Sequence, residues 1–98
     1  MPESPGKIII YGAGGLGREV LQIVKSTLCL DGSRVLGFVD DGVKPGTVRN
    51  GAVVLGDGGY FDMLSEPCSV VIGFAAPREK EGVYRRLKRN PLISFPNV

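Results

Sequence analysis

The sequence predicts an α/β fold, a small parallel sheet of about five strands flanked by helices. Three observations lead there. Short apolar runs alternate along the chain with longer amphipathic stretches, the order expected of βαβ units with right-handed crossovers. The first run is apolar throughout rather than at every second residue, as a strand covered on both faces requires. The 15 glycines and 7 prolines fall at the ends of these segments and punctuate them, which is turn chemistry and not low complexity.

Lys7-Ile8-Ile9-Ile10-Tyr11 is a β-branched strand that stops at Gly12. From Leu16 to Leu28 the period changes. Leu16, Val20, Ile23, Val24 and Thr27 share one side of a 3.6-residue helix, and Arg18, Glu19, Gln22, Lys25 and Ser26 share the other. Asp31-Gly32 ends the segment with a turn. Arg34 to Asp40 reads as a second strand, closed by the pair Asp40-Asp41. Gly42 to Gly51, with Pro45 and Asn50 inside it, reads as a loop. Ala52 to Leu55 is a brief third strand before Gly56-Asp57-Gly58-Gly59, and Tyr60 to Leu64 a short helix before Pro67.

Ser69 to Phe74 reads as a fourth, central strand. Pro77 marks a helix start, where a missing N–H costs nothing. The helix runs from Arg78 to Arg89, with Val83 and Leu87 as core contacts and Glu81–Arg85 as an i,i+4 ion pair. Asn90-Pro91 ends it, and Leu92 to Phe95 is a last strand stopped by Pro96.

The totals exclude several classes. At 98 residues the chain predicts one domain, residues 1–98. A net charge of +2 is too small and too scattered for a nucleic-acid partner. No apolar run approaches the roughly 18 residues of a membrane span, and the N-terminus lacks a signal-peptide pattern, so the expected location is the cytoplasm. The two cysteines, Cys29 and Cys68, form no metal knuckle and read as small buried thiols. The chain has no histidine, which removes the commonest general base and the commonest metal ligand. No catalytic set and no metal site can be assembled, so the residues read as a binding module and not as a self-sufficient catalyst.

The chemistry-bearing segment is Gly12-Ala13-Gly14-Gly15-Leu16-Gly17, a G-x-G-x-x-G turn between a strand and a helix. Gly12 allows the tight turn, Gly14 lets a phosphate approach the backbone, and Gly17 lets helix and strand pack closely, which makes the domain Rossmann-like. The free N–H groups of the first helical turn then face the phosphate. An acid belongs about 20 residues further on at a second strand's end, and Asp40 and Asp41 stand there as acceptors for a ribose hydroxyl or a base N–H. Adjacent residues of an extended segment point to opposite sides, so one of the two faces the ligand directly. Gly73-Phe74-Ala75-Ala76-Pro77 is expected beside the loop, with small residues leaving room for a nucleotide. The basic helix, containing Arg78, Lys80, Arg85, Arg86, Lys88 and Arg89, is interrupted by Glu79 and Glu81 and reads as a solvated face, with Arg78 alone near enough to a ligand phosphate.

Several motifs occur in order: Lys7-Ile-Ile-Ile-Tyr-Gly-Ala-Gly-Gly-Leu-Gly-Arg-Glu-Val20, Leu36-Gly-Phe-Val-Asp-Asp41, Val54-Leu-Gly-Asp57, Val70-Val-Ile-Gly73 and Ser94-Phe-Pro-Asn97. Together they resemble the N-terminal domain of bacterial sugar acyltransferases of the sialic-acid O-acetyltransferase type. That family includes the N-acetyltransferases acting on UDP-4-amino sugars and GDP-perosamine. The resemblance implies a Rossmann-like domain that holds the nucleotide part of a UDP- or GDP-amino sugar. It also implies a following left-handed β-helix that forms a homotrimer, binds acetyl-CoA and supplies a catalytic histidine. By resemblance Gly14, Gly15 and Leu16 fall on the substrate-contacting loop, Asp40 and Asp41 on the nucleotide-contacting strand end, and Ala75 where a small residue touches substrate. Leu16 stands where some members have histidine. The 98 residues stop where the β-helix would begin, so this segment alone is expected to be inactive and to bind no cofactor.

The expected function is nucleotide-sugar binding within an acetyl-CoA-dependent sugar acetyltransferase of glycan biosynthesis. An NAD(H)-binding domain of an oxidoreductase or redox sensor fits the same loop and acid, although the chain is short for the second half that grips a dinucleotide. A purely structural domain with an idle loop is the third reading.

Overall fold

A computed structural model describes residues 7–27, 35–74 and 76–95. They form β1 (Lys7–Tyr11), α1 (Gly15–Thr27), β2 (Val35–Val39), β3 (Val48–Arg49), β4 (Ala52–Gly56), a 3-10 helix (Gly58–Met63), β5 (Cys68–Ile72), α2 (Pro77–Leu87) and β6 (Ile93–Ser94). The six strands make one sheet in the order β3-β4-β2-β1-β5-β6. Every pairing is parallel except β3 with β4. The α/β expectation therefore holds, and β5 is interior as expected. No described helix is long and apolar enough to cross a membrane.

The exception corrects the reading of 42–51 as a plain loop. Val48 pairs with Val53 and Arg49 with Ala52 across Asn50-Gly51. Both turn residues have positive φ, 50° and 82°, the geometry of a two-residue type I′ hairpin. The Asn-Gly signal was in the sequence. A strand of two residues leaves no periodicity beside it to count.

The apolar runs are explained by the two layers. Ile8 and Ile10 face α1, packing with Leu21, Val24, Phe38, Val54 and Val71. Ile9 and Tyr11 face the opposite layer, made by Phe61 of the 3-10 helix and Leu87 of α2. Burial on both faces is why β1 shows no alternation. Val83 packs against that second layer as expected, and Arg85 Nη2 donates to Glu81 Oε1 at 2.6 Å.

α1 is rotated from the expected face. Leu16 is 39% and Ile23 50% exposed, whereas Leu21 and Val24 are buried and Val20 partly so. The cause is Gly17. Its backbone presses on Gly12, so positions three, four and seven residues later turn toward the sheet. An apolar count gives glycine no weight and misses this. Thr27's side chain, Cys29 and the Asp31-Gly32 turn lie outside the described residues. Cys68 is buried, and burial pushes its thiol above the usual range.

Candidate functional site

The chain runs from β1 through α1 to β2 and on to β4, then returns to the other side of β1 as β5. The order thus reverses between β1 and β5, and their carboxyl ends form the crevice where open α/β sheets take ligands. Glycines line it. Gly12 leaves β1 at φ 115°, its N–H donating to Val39 O at 2.7 Å, and Gly73 N donates to Tyr11 O at 2.8 Å. A Cβ on Gly17 would stand 1.8 Å from Gly12 O, and one on Gly73 2.9 Å from Gly17 Cα. These three backbones are stacked where no side chain fits.

Gly14 and Gly15 differ. A Cβ on either would meet nothing within 4 Å, neither has positive φ, and both are exposed. Neither packing nor backbone conformation demands glycine at these positions. Arg18 N to Gly14 O is the first bond of the helix, at 3.0 Å. The amides of Gly15, Leu16 and Gly17 precede it and have no intrahelical acceptor. Just beyond, Arg18 Nε is buried without a hydrogen-bond partner. Leu16 sits at the mouth of the loop, partly exposed.

Asp40 and Asp41 straddle the sheet edge, as alternation requires. Asp40 Oδ2 accepts from Ala13 N and Oδ1 from Gly42 N, each at 2.8 Å. It therefore pins the glycine loop. Asp41 Oδ1 accepts from Gly58 N at 2.7 Å and Oδ2 from the Tyr11 hydroxyl at 2.8 Å. Both carboxylates thus hold the protein first, and any ligand would use their remaining lone pairs.

Gly12, Gly14, Gly15, Leu16, Asp40 and Asp41 are brought together at this edge, and Ala75 lies outside the described residues. Three further residues escaped the sequence reading. Tyr11, buried among Phe61 and Phe74 with ring centroids 5.4 and 5.2 Å away, sends its hydroxyl to the edge. Burial and then the bond to Asp41 push its pKa up. Arg86 Nη2 donates to that hydroxyl at 2.9 Å, with its guanidinium carbon 5.9 Å from the ring centroid. The solvated-face reading of the basic helix is corrected here. Arg86 is exposed, yet its tip turns to the site, where it meets the Tyr11 hydroxyl. Gly58 is the third, since a Cβ there would lie 2.5 Å from the Tyr11 hydroxyl oxygen. The polar tip of Tyr11 after three isoleucines was the available signal for this cluster.

Two cavities flank it. One of about 400 Å³ lies between the 3-10 helix and α2, lined by Asp41, Asp57, Asp62, Arg86 and Asn90 among others. A second of about 310 Å³ lies between Asp41, Phe74 and the first half of α2.

A glycine loop at the start of a helix, an acid closing the next strand and a crevice at the reversal of strand order together define a Rossmann-like class of domain. Within that class the family is specific. Residues 7–87 match the model of the PglD N-terminal domain, and the chain belongs to that family. No protein of curated function matches the chain. Among solved structures it resembles a mutant of perosamine N-acetyltransferase from Caulobacter crescentus, in complex with CoA and GDP-perosamine. The TM-score is 0.70 at 22% identity, over 86% of this chain and 38% of that one. The chain thus spans well under half the length of that relative.

Proposed function

We propose that this chain is the nucleotide-sugar-binding domain of an acetyl-CoA-dependent sugar acetyltransferase. One observation carries the reading. Gly14 and Gly15 are glycines for which the fold itself has no use, at a helix start with unspent amides. A phosphate approaching closely there explains both, because it needs the missing Cβ atoms and it satisfies the N–H groups. The helix adds a partial positive charge of about half a unit at that end, and Arg18 adds a full one nearby.

In this reading the diphosphate rests on the Gly14–Leu16 amides and a ribose hydroxyl donates to Asp40, at the end of β2. Asp40 serves twice, since the same carboxylate fixes Ala13 and so the shape of the cradle. By the family resemblance Ala75 contacts the substrate as well. The ligand is a UDP- or GDP-amino sugar drawn from the cytoplasm for glycan biosynthesis. Family membership supports this, as does the likeness to a fold whose relative was seen with GDP-perosamine and CoA. Acetyl-CoA and the groups that move protons belong to a separate β-helix domain of a homotrimer.

Calorimetric titration with UDP-sugars, GDP-sugars and NAD tests the reading. Saturable binding of one nucleotide-sugar class is expected. Tight NAD binding with no heat from any nucleotide sugar would point to the dinucleotide class instead.

A further inference from the structure

Two strips of opposite charge lie side by side over one face of the sheet. Six of the chain's 12 lysines and arginines fall between Arg78 and Arg89, with two of its 10 acids, so that stretch carries +4 and the rest of the chain −2. The 3-10 helix and its flanks, residues 57–66, hold Asp57, Asp62 and Glu66 and no lysine or arginine. The two strips are neighbours, since Phe61 and Leu87 share one core cluster and Asn90 Nδ2 donates to Phe61 O at 3.0 Å. They do not neutralise each other. Asp57, Asp62, Glu66, Arg78 and Arg89 are exposed, and the ion pair found among the described residues is Arg85–Glu81, within α2.

Both strips cross the sheet in the same direction. Asp57 follows the carboxyl end of β4 and Glu66 precedes the amino end of β5. Arg78 likewise follows the carboxyl end of β5 and Arg89 precedes the amino end of β6, and these strands all run parallel. Two residues of the layer are unexplained by packing within the chain. Met63, between Asp62 and Glu66, is 76% exposed. Gly82 lies inside α2, where glycine is destabilising relative to alanine, on the ridge of Arg78 and Arg85 that points away from Val83 and Leu87, and a Cβ there would meet nothing within 4 Å. Each suits close contact with another polypeptide, methionine as an adaptable apolar group and glycine as a place where a second backbone can approach.

We infer that this layer is a contact between two copies of the chain. A two-fold axis parallel to the strands, set between α2 and the 3-10 helix, lays the basic strip of each copy on the acidic strip of the other. Because the strips run the same way, the Arg78 end meets the Asp57 end and the Arg89 end meets the Glu66 end, each contact occurring twice. Charge complementarity thus selects a second copy as the occupant. The contact is independent of the nucleotide-sugar reading and distinct from the homotrimer assigned above to a β-helix domain. Exposed ion pairs are individually weak and screened by salt, so the dimer is weak and salt-sensitive.

Sedimentation equilibrium of the 98-residue chain, from micromolar to millimolar concentration, tests this. It is run at about 0.1 M and about 1 M sodium chloride, where charges are screened beyond about 10 Å and about 3 Å. A monomer–dimer equilibrium that weakens at the higher salt is expected. Glu66→Lys and Arg89→Glu change exposed side chains, so circular dichroism and melting temperature should match wild type. Each should weaken dimerisation by about tenfold, because each reverses two symmetry-related attractions, and the double variant should recover most of the loss. A chain that stays monomeric throughout overturns the inference and leaves the two strips to other proteins. A dimer indifferent to salt or to both single reversals overturns it as well, as does a trimer or an open-ended series, which a two-fold contact does not build.

Discussion

Adding one methyl to Gly17 and one to Gly14 should have opposite consequences, although both belong to the same loop. In Gly17→Ala the new carbon would stand 1.8 Å from Gly12 O and 2.7 Å from Gly12 C. Both are backbone atoms, so no rotamer relieves the clash. Since real Cβ contacts do not fall below 3.0 Å, the start of α1 must retreat from β1 by roughly 1.2 Å. Overpacking that forces backbone shifts costs about 1–3 kcal/mol or more, against which better helix propensity returns at most about 1 kcal/mol. A net loss of about 2 kcal/mol lowers the melting temperature of a domain this size by roughly 10 °C. In Gly14→Ala the methyl enters open space, and the entropy removed from the unfolded chain should hold stability level or raise it by about 0.4–1 kcal/mol. The same methyl stands where the phosphate must approach, so affinity for the nucleotide sugar should fall by about tenfold or more. Thermal and urea unfolding followed by circular dichroism measure the first quantity, and calorimetry the second. A Gly17→Ala protein as stable as wild type would refute the packing account. A Gly14→Ala protein with undiminished affinity would refute the phosphate cradle.

Tyr11→Phe strands Asp41 Oδ2 and Arg86 Nη2 and should cost about 1 kcal/mol in urea unfolding at neutral pH. Because the folded state holds the Tyr11 proton above its ordinary pKa of 10.0, its contribution is complete below about pH 10 and is lost as pH rises through the higher folded value. The alkaline loss of stability should therefore be shallower in Tyr11→Phe than in wild type, and equal slopes would contradict the assignment. Asp40→Asn leaves one side-chain oxygen for two amides, Ala13 N and Gly42 N. It should cost about 1 kcal/mol and speed amide hydrogen exchange at Ala13, and unaltered exchange there would show that the carboxylate does not fix the loop. Cys68, buried with its thiol held above the usual range, should resist iodoacetamide in a Cys29→Ser background until urea is added. Fast native labelling would argue against that burial.

Much of the fold was legible because β1 and β5 are buried on both sides, and such strands announce themselves as unbroken apolar runs. The glycine loop was legible for the same local reason, with turn, helix start and strand end lying within one short stretch. The β3–β4 hairpin was missed although Asn50-Gly51 signalled it, since a two-residue strand leaves no pattern to count. The face of α1 was misjudged by one position because Gly17, the residue that sets its rotation, has no hydrophobicity to register. Arg86 reads as part of a solvated face because Glu79 and Glu81 interrupt the basic residues between Arg78 and Arg89, and charge pattern alone cannot tell which of them folds back.

What the sequence determined by itself is everything that depends on near neighbours: the strand–turn–helix at Gly12–Gly17 and the acids at the end of β2. The tertiary structure decided which glycines serve packing and which do not. Gly12, Gly17 and Gly73 come from two separate segments, and only the parallel pairing of β1 with β5 presses them together, leaving Gly14 and Gly15 in the open. It likewise decided that Tyr11, Asp41, Gly58 and Arg86 meet. Tyr11 and Arg86 stand 75 positions apart, and hydrogen bonds between such distant residues follow from the order of strands and not from any spacing along the chain.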